Sequence, residues 1–181
     1  MPRISVVGSS GSGKSTLARR LADRLELDFV ELDAFQHLPG WQPRDPAEFG
    51  ALVDAACPVD GQWVVDGNYS QVTMHGVVWR RADTVVVLDL PRRQVITHLT
   101  ARSLRRWVTR EELWNGNRES LRNLLRWDPG RNVIRWSWVH HHRYAARYGA
   151  AADDRRWAHL DFVYLTSHAE ADAWLARLVA T

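Results

Sequence analysis

Residues 8–15 read Gly-Ser-Ser-Gly-Ser-Gly-Lys-Ser, matching G-x-x-x-x-G-K-[ST] at every position. Glycines let the backbone take positive φ, so successive N–H groups turn inward and form an anion nest. A helix opening behind such a loop aims its positive end at the same anion. The lysine of this motif reaches the β- and γ-phosphates of a nucleotide, and its final hydroxyl ligates Mg²⁺. The expected nucleotide-binding residues are therefore Gly8, Ser9, Gly11, Ser12, Gly13, Lys14, Ser15 and Thr16. Lys14 also counts as catalytic, and ATP and Mg²⁺ are the expected cofactors.

Three aspartates follow short apolar runs: Asp33, Asp66 and Asp89. In an open α/β sheet the carboxyl ends of the strands form the ligand edge. Nucleotide chemistry needs one carboxylate near Mg²⁺ and another to orient the attacking group or take its proton. Asp66, between Trp-Val-Val and Gly67, suits the metal role with Ser15. Asp33 precedes an irregular stretch and suits the acceptor role. Asp89 lies two residues before Pro91, where capping a helix and holding metal are equally open. Phosphoryl transfer also calls for guanidinium clamps. Arg102, Arg105 and Arg106 fall at the end of one expected helix, and Arg118 and Arg122 stand one helical turn apart, with Arg126 a turn further on. His37 is placed to meet an acceptor or simply to pack. His140, His141 and His142 are consecutive, and successive helical positions diverge by about 100°, so one metal cannot take all three.

These residues need a scaffold of strands and helices. Strands are expected at Arg3–Val7, Asp28–Leu32, Gln62–Val65, Thr84–Leu88 and Leu160–Leu165. Lys14–Leu25 is an amphipathic helix with Leu17, Leu21 and Leu25 on one face. Asp45-Pro46-Ala47-Glu48 and Ser167-His168-Ala169-Glu170 are helix starts. Pro91 opens a helix through about Trp107. Thr109–Asn117 reads as a loop, and Arg118–Trp127 and Arg131–Tyr148 as arginine-studded helices broken at Asp128-Pro129-Gly130. Apolar strands alternating with helices mean βαβ units and a parallel sheet covered on both faces. The fold class is α/β, with 1–181 as one domain.

Composition narrows the function. The chain of 181 residues carries 24 Lys+Arg against 21 Asp+Glu, and Lys14 is its one lysine. A guanine-specific Asn-Lys-x-Asp motif is therefore absent, as is a protein kinase's strand lysine. Residues 92–147 hold 13 arginines against four acids, while the rest of the chain is net acidic. Something anionic should meet that segment. Trp107, Trp114, Trp127, Trp136 and Trp138 are interleaved with its arginines, which resembles a nucleic-acid stacking platform, although tryptophan at helical spacing is more often core. The sole cysteine, Cys57, reads as a buried hydrophobe. With no basic-then-apolar leader and no apolar run of about 18 residues, a cytoplasmic protein without a membrane partner is expected.

The chain resembles small P-loop nucleoside- and nucleotide-kinase-like proteins of the adenylate kinase and shikimate kinase type. It is most similar to the group labelled DNA topology modulation proteins (FlaR-type), or adenylate-kinase-like ATPases. The resemblance rests on Gly8–Thr16, Glu31-Leu32-Asp33, Leu38-Pro39-Gly40-Trp41, Trp63–Ser70, Leu88-Asp89-Leu90-Pro91 and Arg110–Arg122. It implies a three-layer P-loop fold with a five-stranded parallel sheet ordered 2-3-1-4-5. It also implies an acceptor-binding region at 34–62, an Arg-rich LID-like segment at 107–118, catalytic arginines at Arg102, Arg106, Arg118 and Arg122, and an adenine contact near Thr166–His168. Adenylate kinase has Asp-Gly-Phe-Pro-Arg where this chain has Asp66-Gly67-Asn68-Tyr69-Ser70. The carboxylate carries over, the arginine has no counterpart, and that departure counts against AMP as acceptor. The implied activity is transfer of the ATP γ-phosphate to a small molecule, with nucleosides and nucleotides among the candidates. The alternative is an ATP-binding regulatory or DNA-associated protein with slow ATPase activity.

Overall fold

The computed structural model describes residues 2–120 and 132–179. Arg122, Arg126, Trp127 and the break at Asp128-Pro129-Gly130 lie outside the described residues. Five strands form one parallel sheet: β1 (Arg3–Gly8), β2 (Asp28–Glu31), β3 (Trp63–Asp66), β4 (Thr84–Leu88) and β5 (Asp161–Leu165). Their order is β2-β3-β1-β4-β5, the order the resemblance implies. Two further two-residue strands, His37–Leu38 and Gln42–Pro43, pair antiparallel outside the sheet. They occupy a stretch the sequence leaves irregular, because a two-residue strand has no periodicity to detect.

The central strands are mostly apolar because both faces are covered. Val7, Val65, Val85 and Val87 face one core layer with Phe49, Val53, Trp79 and Tyr148. Ile4, Val6, Val64 and Val86 face the other with Leu17, Leu21 and Leu175. The helices supplying these layers are α1 (Lys14–Leu25), α2 (Leu32–Gln36), α3 (Pro46–Ala56), α4 (Val77–Arg81), α5 (Arg92–Thr109), α6 (Val133–Ala152) and α7 (His168–Val179). Trp79 is fully buried, and its indole N–H is satisfied by the Ser5 hydroxyl at 3.2 Å. Cys57 is also fully buried, and burial pushes its thiol up to about 12, so it packs rather than reacts.

Local signals act as chemistry requires. The Asp45 side chain accepts from the Ala47 and Glu48 amides at 2.9 and 3.2 Å. At α7 the Ser167 hydroxyl accepts from the Glu170 amide. The Glu170 carboxylate reaches back one residue further than a capping box, to the Thr166 amide at 2.7 Å.

Three expectations are corrected. β2 ends at Glu31, so Asp33 sits in the first turn of α2 rather than on a strand. Asp89 does not cap α5, whose N-terminus has no side-chain cap. Arg118 opens no helix: it pairs with Glu112 in an isolated antiparallel bridge.

Candidate active site

The loop from Gly8 to Gly13 leaves the carboxyl end of β1 and enters α1. Gly11 and Gly13 both have φ of 92°, a region side chains rarely adopt. Close approach adds a second demand, since a Cβ on Gly11 would stand 2.6 Å from the Val95 carbonyl oxygen. Asn68 braces the start of the loop. Its side-chain amide donates to the Gly8 carbonyl and accepts from the Gly8 amide, and the Tyr148 hydroxyl donates to the same Asn68 oxygen. Both Gly8 backbone groups are thus held by Asn68. Ser9 and Ser12 are buried within the loop, where the Ser12 amide donates to the Ser9 carbonyl. Gly11, Gly13, Lys14, Ser15 and Thr16 line a cavity of about 410 Å³. Its far wall is His98, Arg102 and His168. His168 lies 3.1 Å from the Ser12 carbonyl and stacks on His98 at 5.3 Å. From Thr166–His168, His168 is the residue that reaches this cavity; Thr166 is tied to Glu170.

Asp66 ends β3 and is almost wholly buried, with Oδ1 at 3.9 Å from Lys14 Nζ. Among the described residues that oxygen has no hydrogen-bond partner. A buried carboxylate oxygen left open costs free energy unless a cation or donor meets it. Together with the Ser15 hydroxyl it forms the hard-oxygen donor set that suits Mg²⁺. Among the described residues no group of three or more His, Cys, Asp or Glu could hold a metal. A cation here would therefore share its shell with phosphate oxygens and water.

A second cavity of about 340 Å³ lies beyond Arg102, with Asp33, His37, Trp41, Tyr69 and Trp114 in its wall. A third, of about 240 Å³, is lined by Lys14, Asp33, Asn68 and Tyr69, so it connects the lysine with the aspartate. The Tyr69 hydroxyl donates to Asp33 Oδ1 at 2.6 Å and lies 3.2 Å from His37 Nε2. Burial first, and then the Asp33 charge, push the Tyr69 phenol well above its ordinary range, so it remains a donor. His37 stacks on Trp114 at 6.0 Å and meets Trp41 edge-on at 5.2 Å. Trp41 is held at φ 59°, beside Gly40 at 72°.

The loop 113–118 is clasped onto this wall. Asn117, which is 4% exposed, accepts from the Trp41 amide at 2.8 Å and donates to the Leu38 carbonyl at 3.0 Å. The Asn115 amide donates to the His37 and Ala34 carbonyls. The Trp41 indole donates to the Arg118 carbonyl at 3.2 Å.

The arginines divide. Arg102 lines both the phosphate-loop cavity and the Asp33 cavity, its Nε is buried without a partner among the described residues, and burial followed by the Arg106 charge holds its guanidinium below the usual range. Arg106 lines the second cavity and is paired with Glu111 and Glu119, both at 3.4 Å. The Arg118 side chain is exposed, pairs with Glu112 and faces neither cavity. The three histidines diverge: His140 stacks on Trp136, and buried His141 lies 2.9 Å from the Leu90 carbonyl.

Sequence reasoning gave no role to Asn68, Tyr69, Trp41 or Glu119, and offered Trp114 only as part of a stacking platform. The signal for the first two was available, since they follow Asp66-Gly67 directly. For the aromatic wall, the signal was a tryptophan beside or near a glycine, in Gly40-Trp41 and Trp114-Asn115-Gly116.

No protein-family model and no curated protein matches the chain. Among solved structures, a deoxyadenosine kinase from M. mycoides with bound dCTP is similar with a TM-score of 0.56 and 11% identity, covering 98% of this chain and 99% of its own. A sugar kinase from Janibacter sp. HTCC2649 gives 0.49 and 18%, covering 99% and 93%. A gluconokinase from Sinorhizobium meliloti 1021 gives 0.43 and 17%, covering 99% and 94%. The first likeness covers 98% of this chain and shows the fold, an α/β fold built on a parallel five-stranded sheet.

Proposed function

We propose that the chain is a P-loop phosphotransferase that moves the γ-phosphate of ATP·Mg²⁺ to a hydroxyl of a small molecule. One observation carries this reading: Arg102 forms part of both the cavity beside the phosphate loop and the cavity beside Asp33. A cation at that junction is where charge develops when a phosphoryl group passes from donor to acceptor. Lys14 and the loop amides would hold the triphosphate in the first cavity. Ser15 and Asp66 would hold Mg²⁺, which when bound supplies charge neutralisation at the phosphate oxygens. Asp33 would take the proton of the acceptor hydroxyl as its oxygen bonds to phosphorus. The bond from phosphorus to the β–γ bridging oxygen breaks, and ADP leaves. We read 34–62 as the acceptor-binding region and 107–118 as the lid, whose clasp would exclude water.

The test is ATP consumption by the intact chain against a broad panel of hydroxylated metabolites. Stimulation above the rate in buffer by at least one acceptor is expected, with a phosphorylated product in equal amount to ADP. Consumption that no acceptor raises would leave only an ATPase.

A further inference from the structure

The lining of the second cavity defines a class of acceptor, on the phosphotransferase reading above. Two carboxylates face it, and each has one oxygen taken by the protein and one left open. Asp33 gives Oδ1 to the Tyr69 hydroxyl, and among the described residues nothing bonds its Oδ2. Glu119 gives Oε1 to Arg106, and its Oε2 is buried with no partner among the described residues. An open carboxylate oxygen in a partly dry site needs a hydrogen-bond donor, so the ligand must bring at least two. The cations among the described lining residues have other duties. Arg106 is paired with Glu111 and Glu119, and Arg102 belongs equally to the triphosphate side. An acceptor carrying its own phosphate or carboxylate would meet Asp33 and Glu119 as like charges. The remaining wall is the flat faces of Trp41, Trp114 and His37, which suit a ring with an apolar face.

We infer that the acceptor is an uncharged, polyhydroxylated ring compound, either a free sugar or cyclic polyol or the sugar of a nucleoside, and not a phosphorylated or acidic one. Asp33 takes the reacting hydroxyl, Glu119 a second hydroxyl, and the tryptophans the ring face. Glu119 then acts as a specificity residue, touching the acceptor but not the transferring group.

The experiment measures transfer of labelled γ-phosphate at saturating ATP by the wild-type chain. Four arms are compared: free sugars and polyols, nucleosides, their monophosphates, and sugar acids. Transfer to a member of the first two arms, at least about tenfold more efficient than to its charged counterpart, is expected from the loss of one or two charged contacts; which of the two arms responds identifies the source. Equal or better transfer to a charged counterpart overturns the inference while leaving the phosphotransferase intact. ATP binding with no transfer in any arm removes both. With the accepted substrate, Glu119→Gln should raise the acceptor KM about tenfold, with a smaller change in the KM for ATP. An unchanged acceptor KM would take Glu119 out of the site.

Discussion

At the residue scale, the chain uses arginine almost wherever it needs a cation and keeps a single lysine inside its phosphate loop. Lys14 is 8% exposed, within 3.9 Å of an unpartnered carboxylate oxygen. A planar guanidinium is larger than an ammonium and does not fit that point-charge role. Lys14→Arg is therefore expected to lower kcat/KM for ATP by about a hundredfold or more, a loss of about 3 kcal/mol, measured by steady-state turnover with the accepted substrate. Asp33→Asn preserves shape and removes the charge; ATP affinity by calorimetry should hold while phosphate transfer falls by about 100-fold or more, the usual scale of general-base loss. Tyr69 is the partner of that carboxylate. Tyr69→Phe leaves the ring packed on Phe49 but frees Asp33 to rotate, so kcat should fall while the KM for ATP stays near its original value.

At the element scale, one clasp and one tie hold the parts in register. The clasp joins the loop 113–118 to the ribbon around Trp41 through Asn115 and Asn117. Losing buried amide partners costs about 1–3 kcal/mol. Asn117→Ala should raise acceptor-independent ATP hydrolysis relative to transfer, seen as phosphate release exceeding product. The tie is Arg3 to Asp83, which fastens the start of β1 to the start of β4 with contacts at 2.6, 3.0 and 3.2 Å. The Arg3 hydrogen bonds hold the Asp83 carboxyl below its ordinary range. A carboxyl lowered by folding contributes stability above its unfolded value and loses it as pH falls through the folded one. Melting temperatures measured down the acid range should therefore converge for wild type and Asp83→Asn, after differing at neutral pH. The main elements were legible in the sequence because they are long and periodic: Val85–Val87 and Leu17–Leu21 announce a buried strand and an amphipathic helix. The clasp was not, because it depends on two asparagines whose partners are backbone carbonyls almost eighty residues away.

For the whole molecule, the sheet places the phosphate loop, Asp66 and Asp33 along one edge, and the helices behind it fix how far they can move. Of the residues read from the phosphate motif, Gly11, Gly13, Lys14, Ser15 and Thr16 line one cavity, while Ser9 and Ser12 are buried within the loop. The arginines were less legible: of the four the resemblance implies, Arg102 and Arg106 border the cavities, Arg118 lines neither, and Arg122 lies outside the described residues. Side-chain direction in an irregular segment depends on contacts that one-dimensional spacing does not encode. Among the described residues no helix is long and apolar enough to cross a membrane. Binding energy available to the fold can be read by heat. ATP·Mg²⁺ at about 100 times its Kd should add about 2.7 kcal/mol of stability, seen as a higher melting temperature that Lys14→Ala abolishes. Trp79→Ala should cost about 3–5 kcal/mol with or without nucleotide. Trp41 sets these two scales against each other. Its left-handed backbone carries a strain of about 1 kcal/mol that glycine would relieve, yet its indole forms the cavity wall. A library selected for heat resistance alone should enrich Trp41→Gly and Trp41→Asn, one selected for turnover should discard them, and the divergence at this single codon would mark the acceptor pocket without any bound ligand.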